Sequence, residues 1–548
     1  MKRKQKQKDR ALLWLFARLR GYRKVAAVLT AMHCFVAVLG VVSVIVNKHL
    51  VDRATANSGL TEGIVIMLVA TVLSIVLNLI AQMWIITFQE KCSFGIRDGV
   101  YHNILSSQWS DLKKYHSEDV LTRLTSDVEQ IVSGTLHILI QGGGTVVGLV
   151  LSFALLCYYD WRLMLAILVL VPAGLALTSL VGKKMRRIQQ KYQETESSYR
   201  VFLQESIKLM PVVKAFQQEQ TSRQRLKQLR DERLYYLVKL RRLRVVTGTV
   251  VHIVFTLGTM VAFLFGVIQI AENKITFGTL TALLALVGQI QRPALSLGEM
   301  IRRGITVRAS ISRVMEIDAL PQEAQQESEK LVGGLHICGK GITFAYEDEE
   351  IFRNWDLDIP AGETVAVIGH SGVGKTTLVR LLLGFTQPEQ GTLVFRDEAG
   401  HTQTLSAATR KYISYVPQGN TLFRGSIREN LKIGNPDATE EMLWEALNTA
   451  CAKSFVQKLP NKLDTQIGEK GTGLSEGQAQ RIAIARALLR EAPIVIFDEA
   501  TSALDSDTER ELLFRLRDKP HTCTYIFVTH RKTTKDDCTM CIRLDEKA

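Results

Sequence analysis

Six stretches of the chain, 25–47, 63–89, 130–159, 163–182, 245–271 and 275–291, contain no Asp, Glu, Lys or Arg. A helix crosses the bilayer core in about 17–25 predominantly apolar residues, so each stretch is long enough. Inside lipid every backbone polar group must be satisfied within the segment, and for runs of this kind that means a helix. Six of them predict an N-terminal all-α transmembrane domain. They exclude a soluble ATPase or a soluble binding module, because water-soluble folds do not bury six such helices.

Much of the excess positive charge lies in the connections between these runs. The net charge is +14 over 548 residues. The segment 183–244 includes Lys183, Lys184, Arg186, Arg187, Arg241, Arg242 and Arg244, and the segment 90–129 holds Lys91, Arg97, Lys113, Lys114 and Arg123. The connections 48–62, 160–162 and 272–274 are short and nearly neutral. The positive-inside rule places the two basic segments and both termini in the cytoplasm. The long basic segments have helix-forming sequence and are expected to prolong the membrane helices, with 105–115 and 209–217 as contact helices. The first 24 residues read as a basic cytoplasmic segment, with 11–16 suited to an interfacial helix. No cleaved signal is expected there. No recognition motif accompanies the positive charge, so nucleic acid is not an expected partner.

Polar but uncharged residues lie within the spans: His33, Asn78, Gln82, His137, Gln141, His252, Gln269 and Gln289. They serve helix–helix hydrogen bonding or line a substrate path. The spans contain no carboxylate, which argues against a proton- or sodium-coupled carrier. The eight cysteines form no disulfide framework. Cys538 and Cys541 lack the second pair of ligands that a structural zinc site needs.

The second half has ordinary globular composition from about 331 to the end, after a linker over 311–330 that is rich in Gln and Glu between 321 and 330. Its strongest motif is Gly369-His370-Ser371-Gly372-Val373-Gly374-Lys375-Thr376, with Thr377 following. The apolar run 364–368 precedes it and the apolar run 378–383 follows it, giving strand, glycine-rich loop and helix. Such a loop aims backbone N–H groups at phosphate oxygens, and the helix N-terminus adds its dipole. Lys375 can reach the β- and γ-phosphates, and the Thr376 hydroxyl can ligate Mg²⁺. Further on, Ala492-Pro-Ile-Val-Ile-Phe-Asp498-Glu499 is an apolar strand ending in two carboxylates. Asp498 is placed to hold Mg²⁺ and Glu499 to polarise an attacking water.

Together these motifs, in this order, resemble the ATP-binding cassette (ABC) transporters, and within them the exporter type with six spans before one cassette. The resemblance covers nearly the whole chain. It implies an α/β P-loop NTPase cassette over 331–548 behind a transmembrane domain over 25–310. Tyr346 resembles the aromatic that stacks on adenine, and Gln418 the glutamine that touches Mg²⁺ and senses the membrane domain. Leu474-Ser475-Glu476-Gly477-Gln478 resembles the signature, which contacts ATP held by a second cassette. Ser502-Ala503-Leu504-Asp505 resembles the loop at the dimer seam, and His530 the histidine that contacts the γ-phosphate. Gly468-Glu469-Lys470-Gly471 resembles the exporter-specific loop that meets the cytoplasmic helices.

One position departs from the family pattern: Glu476 stands where the signature has glycine. A carboxylate near a triphosphate repels it unless it turns away or meets a cation. Glu476 either points to solvent or weakens the site of a partner. The implied assembly is a homodimer or a heterodimer with a second half-transporter, binding ATP and Mg²⁺. The implied activity is export, by alternating access, of a small-molecule, lipid or peptide substrate; the alternatives are an importer on the same scaffold and a regulatory or channel protein. The expected location is a bacterial cytoplasmic membrane.

Overall fold

The computed structural model describes residues 11–544 except 12, 57–58, 325–329, 347–348, 371, 469–472, 519–522 and 530–537, and leaves aside the side chains of 170–180, 292, 294 and 295. The chain divides into two compact units. The first holds the helices α1 (Arg23–Thr55), α2 (Thr61–Leu105), α3 (Ser117–Tyr159), α4 (Trp161–Lys208), α5 (Glu219–Ala271) and α6 (Phe277–Asp318). Among the described residues, α1, α2, α3, α5 and α6 are long and apolar enough to cross a membrane. The sixth expected span, 163–182, is helical within α4. The basic segments are indeed helical continuations: α2, α4 and α5 run on well past their charge-free stretches.

Helix ends follow local chemistry. Asp160 caps α4, its carboxylate accepting from the N–H groups of Arg162 at 2.8 Å and Leu163 at 3.2 Å. Its other oxygen accepts from Gln269 of α5 at 3.2 Å. Gly278 opens α6 against α1, where its N–H donates to Asp52 at 2.9 Å. A Cβ at Gly278 would lie 2.2 Å from the Lys48 carbonyl, so only glycine allows this approach.

The core of this unit is apolar and closed, with Leu156, Leu163, Phe255, Leu283, Leu286 and Ile290 packed together. The outer face is apolar too. Leu68, Val69, Leu79 and Ile86 on α2 are each more than half exposed, as suits a helix facing lipid. Farther along, Asp127 on α3 is buried and accepts from Arg313 at 2.8 Å and Ser310 at 2.9 Å on α6. Burial alone would raise the pKa of Asp127, but these two partners hold it below the ordinary carboxylate range.

The linker expectation is corrected at its start. Helix α6 runs to Asp318, because Ile311, Val314 and Ile317 continue its buried stripe. Asp318 is anchored there, accepting from Trp14 Nε1 at 2.6 Å and Arg18 at 2.8 Å.

The second unit comprises 103–116 and the residues from 319 onward. Its two larger sheets are built from β1 (His336–Tyr346), β2 (Glu349–Ile359), β3 (Thr364–Ile368), β4 (Gln390–Arg396), β5 (Thr402–Thr404), β6 (Ile413–Val416), β7 (Ile494–Asp498), β8 (Thr524–Val528) and β9 (Met540–Arg543). An antiparallel sheet has the order β2-β1-β4-β5, and a parallel one the order β9-β3-β8-β7-β6. Strands β7 and β8 are buried at every residue, as a parallel sheet covered on both faces requires. Three more helices matter here: α7 (Lys375–Leu382), α8 (Glu476–Leu488) and α9 (Ser506–Arg517).

The segment 103–116 belongs to this unit through its own bonds. Gln108 N–H donates to Pro321 O and Glu323 N–H to Ser106 O, both at 2.8 Å. Trp109 packs on Phe385 with ring centroids 5.7 Å apart, and the Arg410 guanidinium lies over the same ring at 4.6 Å. Glu323 clamps Arg410 with two bonds, at 2.8 and 2.7 Å.

Candidate functional site

Ligands of open parallel sheets collect at the carboxyl ends of the strands. Here β3 ends at Ile368 before the glycine-rich loop, β7 ends at Asp498 before Glu499, and β6 ends at Val416 before Gln418. Parallel pairing aligns them: Val528 stands opposite both Val367 and Asp498, and Val416 opposite Phe497.

The glycine-rich loop turns into α7 through two left-handed residues, Gly372 at φ +89° and Gly374 at φ +112°. A Cβ on Gly374 would come within 2.6 Å of the Ile351 side chain. Lys375 Nζ donates to the Gly369 carbonyl at 2.5 Å. Thr377 is buried, whereas Thr376 is exposed, so Thr376 is the hydroxyl available at this helix start. Ser371 lies outside the described residues.

The two carboxylates differ in environment. Asp498 is buried and accepts from the Tyr415 hydroxyl at 3.1 Å. Burial pushes its pKa up, and the neighbouring Glu499 adds to this, while Tyr415, Arg380 and Lys375 oppose it. Glu499 sits in the left-handed region at φ +49°, held by its N–H to Val528 O at 3.0 Å. Such a conformation is costly for a side chain with a Cβ and collects at functional sites. Gln418 Nε2 donates to the Glu499 carboxylate at 2.5 Å.

Tyr346 ends β1, stacked edge-on against Phe344 at 4.9 Å, and its hydroxyl accepts from Arg380 at 2.9 Å. Sequence reading missed Arg380 and Tyr415. The signal for Arg380 was its place four residues after Thr376, on the same face of α7. His530, and Glu469, Lys470 and Gly471 of the expected exporter loop, lie outside the described residues.

The segment 474–478, expected to be the signature, forms the start of α8. Ser475 is the N-cap in a reciprocal capping box: Gln478 N–H donates to Ser475 Oγ at 3.3 Å, and Ser475 N–H to Gln478 Oε1 at 3.0 Å. Glu476 is exposed at the first helical position, where the dipole favours a carboxylate. Gly477 has no such room, since a Cβ there would lie 2.7 Å from the Ala503 carbonyl. The loop Ser502–Asp505 is held against α8 by the buried Gln480, also missed from sequence, whose side chain accepts from Ala503 N–H at 3.1 Å. Leu504 is buried, and Asp505 caps α9 by accepting from Thr508 N–H at 3.0 Å.

The two neighbouring signature positions therefore respond differently to substitution. Gly477→Ala pushes on the Ala503 backbone and is expected to lower ATP turnover at least ~10-fold, on the scale of ~1.4 kcal/mol of misplacement. Glu476→Gly removes a solvent-facing side chain and is expected to change turnover less than ~2-fold. Steady-state hydrolysis by the two purified variants checks both, with unfolding midpoints to show that each is folded.

A membrane helical domain followed by a cassette with a phosphate loop, a carboxylate pair and a capped signature helix defines an ATP-driven membrane transporter. The family model for the ABC transporter transmembrane region matches residues 25–294, and that for ABC transporters matches 352–502. The ATP-dependent lipid A-core flippase of Shewanella denitrificans is 30% identical over 481 residues, 86% of this chain and 79% of the relative. The flippase of the same name from Syntrophus aciditrophicus is 31% identical over 454 residues, 81% of this chain and 74% of the relative. A solved bacterial Atm1-family ABC exporter with ATP bound shares the fold, with a TM-score of 0.79 and 22% identity over 96% of this chain and 94% of that one. The chain belongs to the ABC transporter family, as an exporter-type half-transporter whose ATPase drives transport.

Proposed function

We propose that two copies of this chain form one exporter of lipid-like or other amphipathic cargo, with ATP enclosed at the seam between their cassettes. The observation that carries this reading is the signature turn. Ser475 and Glu476 are exposed at the start of α8, and among the described residues no hydrogen bond joins 474–478 to the phosphate loop of the same cassette. Each cassette thus carries two half-sites that a second copy completes. The turn between α4 and α5 supports the same assembly. There Leu209, Met210, Val212 and Phe216 are 41–71% exposed, an apolar tip suited to cover by a partner chain.

At the seam, Tyr346 stacks on adenine. The loop N–H groups over Gly369–Thr377 and the Lys375 ammonium hold the phosphates. The residues present fit Mg²⁺: a buried carboxylate at Asp498, an accessible hydroxyl at Thr376 and an amide oxygen at Gln418 form a hard oxygen donor set. When bound, the ion neutralises charge on the β- and γ-phosphates. Glu499 orients and polarises the attacking water, and the Gln418 amide fixes its carboxylate. His530 is assigned to the γ-phosphate. From the second copy, Ser475, Gly477 and Gln478 close over that phosphate, with Ser502–Asp505 lining the seam. Closure and reopening of the cassettes alternate the access of the membrane domain. The basic helix extensions and the bacterial relatives support a cytoplasmic membrane with both termini inside.

The test is ATP turnover and movement of a fluorescent short-chain glycolipid by the chain alone in liposomes. Both are expected, and both should vanish in Glu499→Gln. ATP binding without turnover by the chain alone would overturn the assembly of identical copies.

The Asp498 environment predicts a pH dependence. As pH falls its carboxylate takes up a proton, and a Mg²⁺ ligand is lost. In the metal-free site its raised pKa lets a proton compete with Mg²⁺ at higher pH than for an ordinary aspartate. Tyr415→Phe removes the hydroxyl that favours the charged form, so the acid limb of Mg²⁺-dependent hydrolysis should move further up. A pH–rate profile that does not move removes Asp498 from this role.

A further inference from the structure

A cavity of about 780 Å³ lies between α1, α2, α3 and α6. Its wall gathers uncharged hydrogen-bonding groups: His33 of α1, Asn78 and Gln82 of α2, Gln141, Thr145 and Ser152 of α3, and Gln289 of α6. None of the lining residues is Asp, Glu, Lys or Arg. All seven polar residues fall within charge-free spans.

Polar side chains in a membrane domain ordinarily serve to bond one helix to the next. Two of the seven fit that account. Ser152 Oγ donates to Gln289 Oε1 at 3.2 Å, and Gln289 Nε2 donates to the Gly40 carbonyl at 3.0 Å, tying three helices together. The other five do not. Asn78 and Gln82 are exposed and, among the described residues, bond only along their own helix, at 3.4 Å, as Thr145 does to the Gln141 carbonyl at 2.8 Å. The His33 ring nitrogen Nδ1 meets the Leu29 carbonyl one turn back at 3.1 Å. A carbonyl only accepts, so Nδ1 carries the hydrogen, and Nε2 of the neutral ring remains an acceptor. Among the described residues no hydrogen bond reaches the Gln141 side-chain amide, which is exposed to the cavity.

The backbone is also specialised at this point. Gln141 ends a π segment, His137–Gln141, which turns α3 away from regular helix. Such bulges concentrate at functional sites. Directly after it, a Cβ at Gly144 would lie 3.0 Å from the His33 carbonyl. The close approach of α1 and α3 sets His33 and Gln141 on one wall.

We propose that this cavity binds the head group of the cargo and selects a neutral one with several hydrogen-bonding groups, such as sugar hydroxyls or amides. This rests on the exporter reading above. The alkyl part would lie along Val36, Ala37, Val41 and Leu284. Donors and acceptors of both kinds converge on the space, and its volume suits a head group of one or two sugar rings. A phosphate head group meets no counter-charge there and loses its hydration uncompensated.

The test uses the full chain in lipid discs and a dodecyl maltoside bearing a photoreactive diazirine on its sugar. Labelled peptides are expected to contain His33, Asn78, Gln82 or Gln141. Unlabelled dodecyl maltoside should compete at least tenfold better than dodecyl phosphate. Combined Asn78→Leu, Gln82→Leu and Gln141→Leu should cut labelling at least tenfold with ATP binding intact. Should that variant not fold, Gln141→Lys serves alone, and it should shift the preference toward dodecyl phosphate. Equal competition by the two detergents, or a preference that Gln141→Lys leaves unmoved, overturns the proposal. Labelling needs no hydrolysis, so a chain that labels as expected but never turns over ATP would overturn the exporter assembly and leave this site standing.

Discussion

Glu499→Gln is expected to lower ATP turnover by about 10²–10⁴-fold, the usual contribution of a positioned general base, while leaving ATP binding nearly unchanged. The amide is the same shape as the carboxylate, and its oxygen can still accept from Gln418 Nε2. The left-handed backbone at 499 is held by the bond to Val528 O, which the substitution does not touch. What is lost is the charge that orients and polarises water. A defect confined to the chemical step should leave a stable ATP-bound state, so the variant should also capture the closed pair of cassettes. Equilibrium binding of a fluorescent ATP analogue and single-turnover hydrolysis separate the two steps. Hydrolysis near that of the unaltered chain would remove Glu499 from its assigned role.

The position of Glu499 shows what the sequence could and could not disclose. An apolar strand ending in two acids, downstream of a phosphate loop, is readable because the chemistry needs charge at a strand end and the strand must be buried. That the first acid is buried against Tyr415 and the second is bonded to Gln418 depends on parallel pairing of β6 and β7, which are separated in the chain by a whole helical lobe. Non-local pairing of this kind leaves no local pattern. The same holds for Gln480, whose neighbours in sequence say only that it lies in a helix, while its role is to hold Ala503. The membrane helices were legible because the absence of charge is a composition signal that any single segment carries. Their ends were less so. Helix α6 passes the expected linker boundary because buried positions every three or four residues outweigh the arginines around them. The cluster of Asp127 with Ser310 and Arg313 was invisible for the reason that applied to Tyr415: Asp127 sits far in sequence from the other two.

The second large effect concerns binding. Lys375→Ala is expected to weaken ATP affinity by roughly 10–150-fold, which corresponds to about 1.5–3 kcal/mol for hydrogen bonds made by a charged group. Two losses combine. The ammonium is the cation placed at the start of α7 beside the loop N–H groups, so its removal takes charge from the β- and γ-phosphates. The same Nζ donates to the Gly369 carbonyl at 2.5 Å, so its removal also frees the loop that must present those N–H groups. The left-handed turns at Gly372 and Gly374 do not depend on the lysine, and the loop should keep its path. Affinity should therefore fall without loss of fold, and the unfolding midpoint without nucleotide should stay within a few degrees. The contrast with Glu499→Gln is the sharper test. One variant binds and does not turn over; the other turns over slowly chiefly because it seldom binds, and raising ATP should recover most of its rate. Titration calorimetry with ATP distinguishes them. An affinity unchanged in Lys375→Ala would place the phosphates elsewhere than in this loop.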